Sequence, residues 1–243
     1  MTEPWWKGRL CVFDLETSGT DVFRDHIVTA TVAYVCGSRP TSTLNWLVNP
    51  GVPIPAEAAK IHGITSERAE AEGKPPELAL PGVALALAIA IGEGWPVIAF
   101  NANYDLSLIV SEMRRRQLES DLEVRLANAH VVDPLVIDRG MVKYHKGSRK
   151  LTDVCKRYGV TLENAHDSTA DALAAGRLAY KMAAKYPELG DLAELQRLQA
   201  EWHSVWATNF AHYLRNQGKT ADDVDPAGWP LRRQKLQEVS PCK

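Results

Sequence analysis

The chain has little of what marks a stapled, zinc-bound or membrane-embedded protein. Its four cysteines, Cys11, Cys36, Cys155 and Cys242, are scattered with no Cys-x-x-Cys pair. That excludes the usual thiolate zinc spacing and a disulfide framework, and predicts reduced thiols. No apolar run reaches the length of a membrane span: the longest candidate, Val83 to Ile91, is too short and alanine-rich. Met1 to Lys7 lacks a signal-peptide apolar region. The expectation is a soluble, cytoplasmic protein with no membrane partner. Neither sign of charge dominates, with 28 Lys and Arg against 30 Asp and Glu, so binding to a nucleic acid would have to come from a local basic patch. Internal repeats and low-complexity tracts are also missing.

What is present suits one packed α/β domain with an extension. Of the 243 residues 45% are hydrophobic and 24% charged, enough for a sizeable core. Apolar, β-branched runs predict strands leading into Phe13, over His26 to Val35 and over Ser42 to Val48, joined closely enough for an antiparallel meander. A short helix over Ala56 to Ile61 stops at His62-Gly63. Pro75 to Pro81 breaks the pattern before an Ala/Leu/Ile helix from Val83 to Glu93. Strands at Val97 to Phe100 and His130 to Asp133 alternate with helices over Tyr104 to Leu118, Leu135 to Tyr144, Leu151 to Tyr158 and Ala170 to Lys185. The fold class predicted is a mixed five-stranded sheet, its first three strands antiparallel, flanked by helices. Residues 8–187 form the domain and 188–243 an extension. In the extension Leu195, Leu198, Trp202, Val205, Trp206, Phe210 and Tyr213 recur at helical spacing, a face expected to pack back onto the domain; an irregular, wrapping tail follows.

The chemistry begins at Phe13-Asp14-Leu15-Glu16-Thr17-Ser18-Gly19. Strand side chains alternate, so Asp14 and Glu16 point to one face. Two buried like charges are costly unless a cation lies between them, and carboxylate oxygens favour a hard ion, Mg²⁺ or Mn²⁺. Asp105 stands at a strand-to-helix junction, where an ordinary first-turn acid competes with a ligand. His166 and Asp171, five apart, share a centre if the histidine lies in a loop and the aspartate in the first helical turn; a capping box from Ser168 to Asp171 is the plainer alternative. Four carboxylates and one imidazole suit phosphodiester hydrolysis with two ions, the imidazole taking the proton of the attacking water.

FDLETSG, FNANYD (Phe100 to Asp105) and HDSTAD (His166 to Asp171) occur in that order, with Ile61-His62-Gly63-Ile64-Thr65 between the first two. The chain resembles the DnaQ-like 3′→5′ exonucleases of the DEDDh type, the group of the polymerase III proofreading subunit and ribonuclease T. The resemblance covers about Leu10 to Tyr186. It implies a ribonuclease H-like fold and two Mg²⁺ or Mn²⁺ ions held by Asp14, Glu16, Asp105 and Asp171, with Asp14 bridging. It makes His166 the general base and sets Thr17 and Ser18 against the 3′-terminal nucleotide. His62, Phe100 and Asn101 are expected substrate contacts, although Phe100 replaces a histidine frequent in relatives, and Tyr104 a phenylalanine.

From Arg139 to Arg157 the basic residues Arg139, Lys143, Lys146, Arg149, Lys150, Lys156 and Arg157 face one acid, Asp153. Lys146, Arg149 and Lys150 are the candidates for gripping a single-strand backbone, with a solvated helix face as the rival. The expected activity is 3′→5′ release of nucleoside 5′-monophosphates from single-stranded DNA, either in complex with a DNA polymerase or repair assembly or as a free-standing repair, recombination or end-trimming nuclease. The alternatives are an exoribonuclease and a catalytically silent nucleic-acid- or polymerase-binding module.

Overall fold

The apolar run before Asp14 becomes the central strand of the sheet. In the structure, a computed structural model that describes residues 4–37, 39–163 and 165–234, β1 (Arg9–Thr17) pairs antiparallel with β2 (Ile27–Cys36), and β2 pairs antiparallel with β3 (Arg39–Leu47). On its other side β1 runs parallel to the two-residue strand β4 (Val97–Ile98), which runs parallel to β5 (Val131–Val132), so the order is β3-β2-β1-β4-β5. The helices are α1 (Ala56–His62), α2 (Ser66–Glu72), α3 (Pro76–Gly92), α4 (Ala102–Arg115), α5 (Leu122–Ala127), α6 (Pro134–Met141), α7 (Leu151–Tyr158), α8 (Ser168–Lys185) and α9 (Leu192–Asn216).

Strand alternation divides the core. Cys11, Phe13 and Leu15 face a cluster with buried residues of α3, α4 and α5, while Leu10 and Val12 face α7 and α8. Asp14 and Glu16 continue this second row, so they emerge toward α8. That helix comes close because position 176 is glycine: a Cβ there would stand 2.7 Å from Val12 Cγ1.

Three expectations are corrected. Pro81 does not break the chain but lies inside α3, which starts at Pro76. A proline in the first turn lacks an N–H that would be unpaired anyway, and Pro81 forgoes only the bond to the Glu77 carbonyl. The short helices α2 and α5 were not foreseen. In α9 the buried seam is Leu195, Gln199, His203, Ala207 and Ala211, whereas Val205, Phe210 and Tyr213 are exposed. Small residues let the helix sit close to its support, with Trp202 lying against Gly140 of α6, and the larger rings are displaced to the flank. No helix among the described residues is long and apolar enough to cross a membrane. Of the tail, residues 218–234 run back over the domain without regular structure; 235–243 lie outside the described residues.

Candidate active site

Three elements converge on the C-terminal end of β1. The strand supplies Asp14 and Glu16, the start of α4 supplies Asp105, and the start of α8 supplies Asp171 with His166 just before it. Ligand atoms of Glu16, His166 and Asp171 all lie within 4.8 Å of one another. His166 has φ 71°, a left-handed conformation that turns the loop so that its ring meets a carboxylate five residues on. Its N–H donates to Asp171 Oδ2 at 3.1 Å. Asp171 Oδ1 is buried without a hydrogen-bond partner among the described residues, as a ligand atom awaiting a cation would be. The helix cap is Asp167, which accepts from Ala170 N at 2.9 Å. Ser168 instead is buried against Thr31, with the two hydroxyls 2.9 Å apart, and Thr31 Oγ1 donates to Asn45 Oδ1 at 2.9 Å. These hydroxyls pin the N-terminus of α8 to β2 and β3, leaving Asp171 for the site.

Asp105 is 4% exposed, and its Oδ1 accepts from Leu15 N at 3.1 Å, so it is no solvent-facing first-turn acid. The loop before it is held by Asp133, a residue the motif reading passed over. Its carboxylate accepts from Asn101 N and Ala102 N at 3.0 Å each and from Leu135 N at 2.8 Å. Asn101 thus reaches the site's frame through its backbone, at φ 66°. The signal was present in the sequence as an acid between a strand and Pro134, the pattern of a helix cap.

The electrostatics of these carboxyls favour a proton or a cation among them. Burial, then Asp105, then Glu16 push the Asp14 carboxyl well above the ordinary carboxylate range. Burial likewise raises Asp105, opposed by the Leu15 N–H. Glu16 is pushed up to about 8 by burial and then by Asp171 and Asp167, and burial raises Asp171. Such a set ionises together only around a multivalent cation. The oxygen-rich donors, the orphaned Asp171 oxygen and the 4.8 Å cluster fit a divalent ion.

The remaining expected contacts lie around this centre. Thr17 sits where the β1–β2 register shifts, and its Oγ1 is 2.8 Å from Tyr104 Oη, which donates to Gly19 O at 2.5 Å. Ser18 Oγ accepts from His26 N at 2.9 Å. His62 Nδ1 accepts from Ile64 N at 3.1 Å, and its Nε2 is buried without a partner among the described residues. Desolvation lowers the His62 pKa; the Thr17 carbonyl opposes this and His166 adds to it, both residues being near the ring. Phe100 is half-buried against the α7–α8 core cluster. Lys146 and Lys150 are exposed, but Arg149 is committed to Asp138 and to the Val142 carbonyl at 2.6 Å, alongside Arg157 on the same fully buried carboxylate.

With this geometry in place, similarity to known proteins becomes decisive. The profile of the exonuclease (RNase_T) family matches residues 11–179. The chain belongs to that family. A relative, the DNA polymerase III PolC-type of Caldanaerobacter subterraneus subsp. tengcongensis, is 27% identical over 184 residues, 76% of this chain but 12% of its own length. Among solved structures, E. coli Exonuclease I with a dT13 oligonucleotide superposes with a TM-score of 0.62 at 18% identity, over 75% of this chain and 42% of that one. Exonuclease I from Methylocaldum szegediense gives 0.62 at 20% identity, over 85% and 46%. The mixed sheet with its antiparallel first three strands is therefore the fold of these exonucleases, and the present chain spans under half the length of each.

Proposed function

We propose that this chain is a divalent-metal-dependent 3′→5′ exonuclease that releases nucleoside 5′-monophosphates from single-stranded DNA. The observation that carries the reading is the meeting of Glu16, His166 and Asp171 within 4.8 Å, with one Asp171 oxygen buried and unpaired. Asp14, Glu16, Asp105 and Asp171 would hold the ions, Mg²⁺ or Mn²⁺. When bound, a pair of divalent ions supplies charge stabilisation to the attacking and leaving oxygens of an in-line displacement.

The protein's own groups do the rest. His166 is exposed, so its ring can accept the proton of the attacking water and return it to solvent. The Asp171 carboxylate fixes that residue's backbone through Oδ2 and turns Oδ1 inward. Thr17 and Ser18 form the wall against which the terminal nucleotide lies, and Tyr104 stiffens that wall by bridging Thr17 to the Gly19 carbonyl. His62 offers its unpaired Nε2–H, and Asn101 and Phe100 border the α4 side. Lys146 and Lys150, both exposed, would meet phosphates further along the strand, while Arg149 would act by shaping the loop that bears them. Similarity to PolC-type polymerases supports work beside a polymerase or repair assembly.

The test is digestion of 5′-labelled single-stranded DNA and RNA of one sequence with Mg²⁺ or Mn²⁺, with chelator, and with Asp14→Asn. A metal-dependent ladder shortening from the 3′ end of DNA, abolished by Asp14→Asn, is expected. A ladder on RNA alone reassigns the substrate. Equal cleavage by Asp14→Asn would remove the metal assignment, and single-strand binding without any ladder would make the domain a silent binding module.

A further inference from the structure

The C-terminal segment brings one cation, Arg232, to the start of α4. Residues after α9 cross α4: the Gly228 carbonyl accepts from Asn103 Nδ2, Trp229 packs on the core cluster between the sheet and α3–α5, and Arg232 N donates to Ser107 Oγ at 2.8 Å. These ties fix the Arg232 backbone beside the first turn of α4, the turn that carries Asp105. Its side chain then lies along the helix start, with Nε donating to Asn103 Oδ1 at 2.6 Å and the guanidinium carbon 6.0 Å from the centre of the Tyr104 ring. The Tyr104 hydroxyl at the far end of that ring holds Thr17 and Gly19, the wall assigned above to the terminal nucleotide.

Arg232 lacks the partner that most half-buried arginines here have. Arg116, Arg149 and Arg157 each hold a carboxylate: Glu112 and Glu77 for the first, Asp138 for the other two. Arg139 has no ion pair among the described residues either, but its guanidinium lies over the Trp206 ring, 3.6 Å from the centroid. Among the described residues Arg232 has no carboxylate within ion-pair distance and hydrogen-bonds only the neutral Asn103 amide through its side chain. Burial lowers its pKa, while Tyr104, Asp223, Asp21 and Asp105 act from further off to raise it. A desolvated guanidinium with two nitrogens uncommitted is costly unless an anion completes it, and its planar fork matches a phosphate.

The geometry assigns to Arg232 the binding of a backbone phosphate within the first few linkages from the 3′ end of a single strand. This rests on the nuclease reading, and makes the C-terminal segment part of the substrate site rather than a fold appendage.

Single-strand DNA carrying one neutral methylphosphonate linkage, moved stepwise from the 3′ end, tests it by equilibrium binding in chelator. The parent should lose affinity about five- to tenfold when one particular linkage near the end is neutral. Arg232→Gln should bind all-phosphate DNA weaker by a similar factor, with a salt slope smaller by about 0.7, and should be indifferent to that linkage. Arg232→Lys, which keeps a charge for the fold but lacks the fork, should show a reduced effect at the same linkage. Equal sensitivity of parent and both variants at every linkage overturns the assignment, as does a parent profile with no sensitive linkage near the 3′ end. The parent's metal-dependent digestion of unmodified DNA is run alongside: if it succeeds while the linkage test fails, only the Arg232 assignment falls; if the parent neither digests nor binds, the nuclease reading falls with it.

Discussion

Asp133 lies outside the carboxylate cluster, yet it holds the turn from which Asp105 projects. Its two oxygens collect the N–H groups of Asn101, Ala102 and Leu135, so the turn into α4 and the start of α6 hang from one carboxylate. Burial raises its pKa to about 6, against those N–H bonds, and it is ionised near neutral pH. Asp133→Asn substitutes an NH₂ for one acceptor and sets donor against donor. We expect a loss of about 1–3 kcal/mol in denaturant unfolding, the penalty of an unsatisfied buried group, together with slower turnover as Asp105 shifts. His166 is the opposite case. It is exposed, so His166→Ala should leave the melting temperature nearly unchanged while turnover falls by about two to four orders of magnitude, the range of a general base. Unchanged turnover near neutral pH would sink its assignment as base.

At the scale of elements, the site depends on how closely α8 approaches β1, and Gly176 sets that approach. A methyl there meets Val12 Cγ1 at 2.7 Å, so Gly176→Ala should cost about 1–3 kcal/mol by overpacking despite alanine's better helix propensity. Because α8 also carries Asp171, metal affinity measured by calorimetry should fall with it; retained stability and affinity would show that the strand yields instead. Much of this scale was legible beforehand. Period-two alternation placed Asp14 and Glu16 on one face, and the apolar runs located five strands because strand burial leaves a strong local signal. The helices α2 and α5 escaped because seven and six residues give too few turns for a helical period to show. The seam of α9 differs because hydrophobicity favours its rings, whereas Gly140 leaves room for the Trp202 ring alone and the close contact further along is made by Ala207 and Ala211, which leaves Phe210 and Tyr213 outside. Arg232 was invisible for a different reason: its neighbours Asn103 and Ser107 are more than a hundred positions away, and no motif spans that distance.

For the whole molecule, the carboxylate cluster is a standing electrostatic debt that metal and protons can both relieve. Glu16 titrates near 8 in the folded chain against an ordinary value of 4.5, and Asp14, Asp105 and Asp171 move in the same direction. A raised folded pKa means that the native state binds protons the unfolded chain has released. The stability this contributes is therefore complete below 4.5 and is lost as pH rises to about 8. A divalent ion competes for the same oxygens, binds more tightly as protons leave, and adds stability in proportion to the logarithm of its saturation. Scanning calorimetry should thus show the chelated protein melting progressively lower from about pH 5 to about pH 8, while the increment in melting temperature from Mn²⁺ or Mg²⁺ grows over the same window. Glu16→Gln removes one of the titrating groups, so its chelated melting temperature should depend less on pH and its metal increment should shrink. A metal increment that stays constant across the window, or that Glu16→Gln leaves intact, would mean that these carboxylates are not where the ion binds.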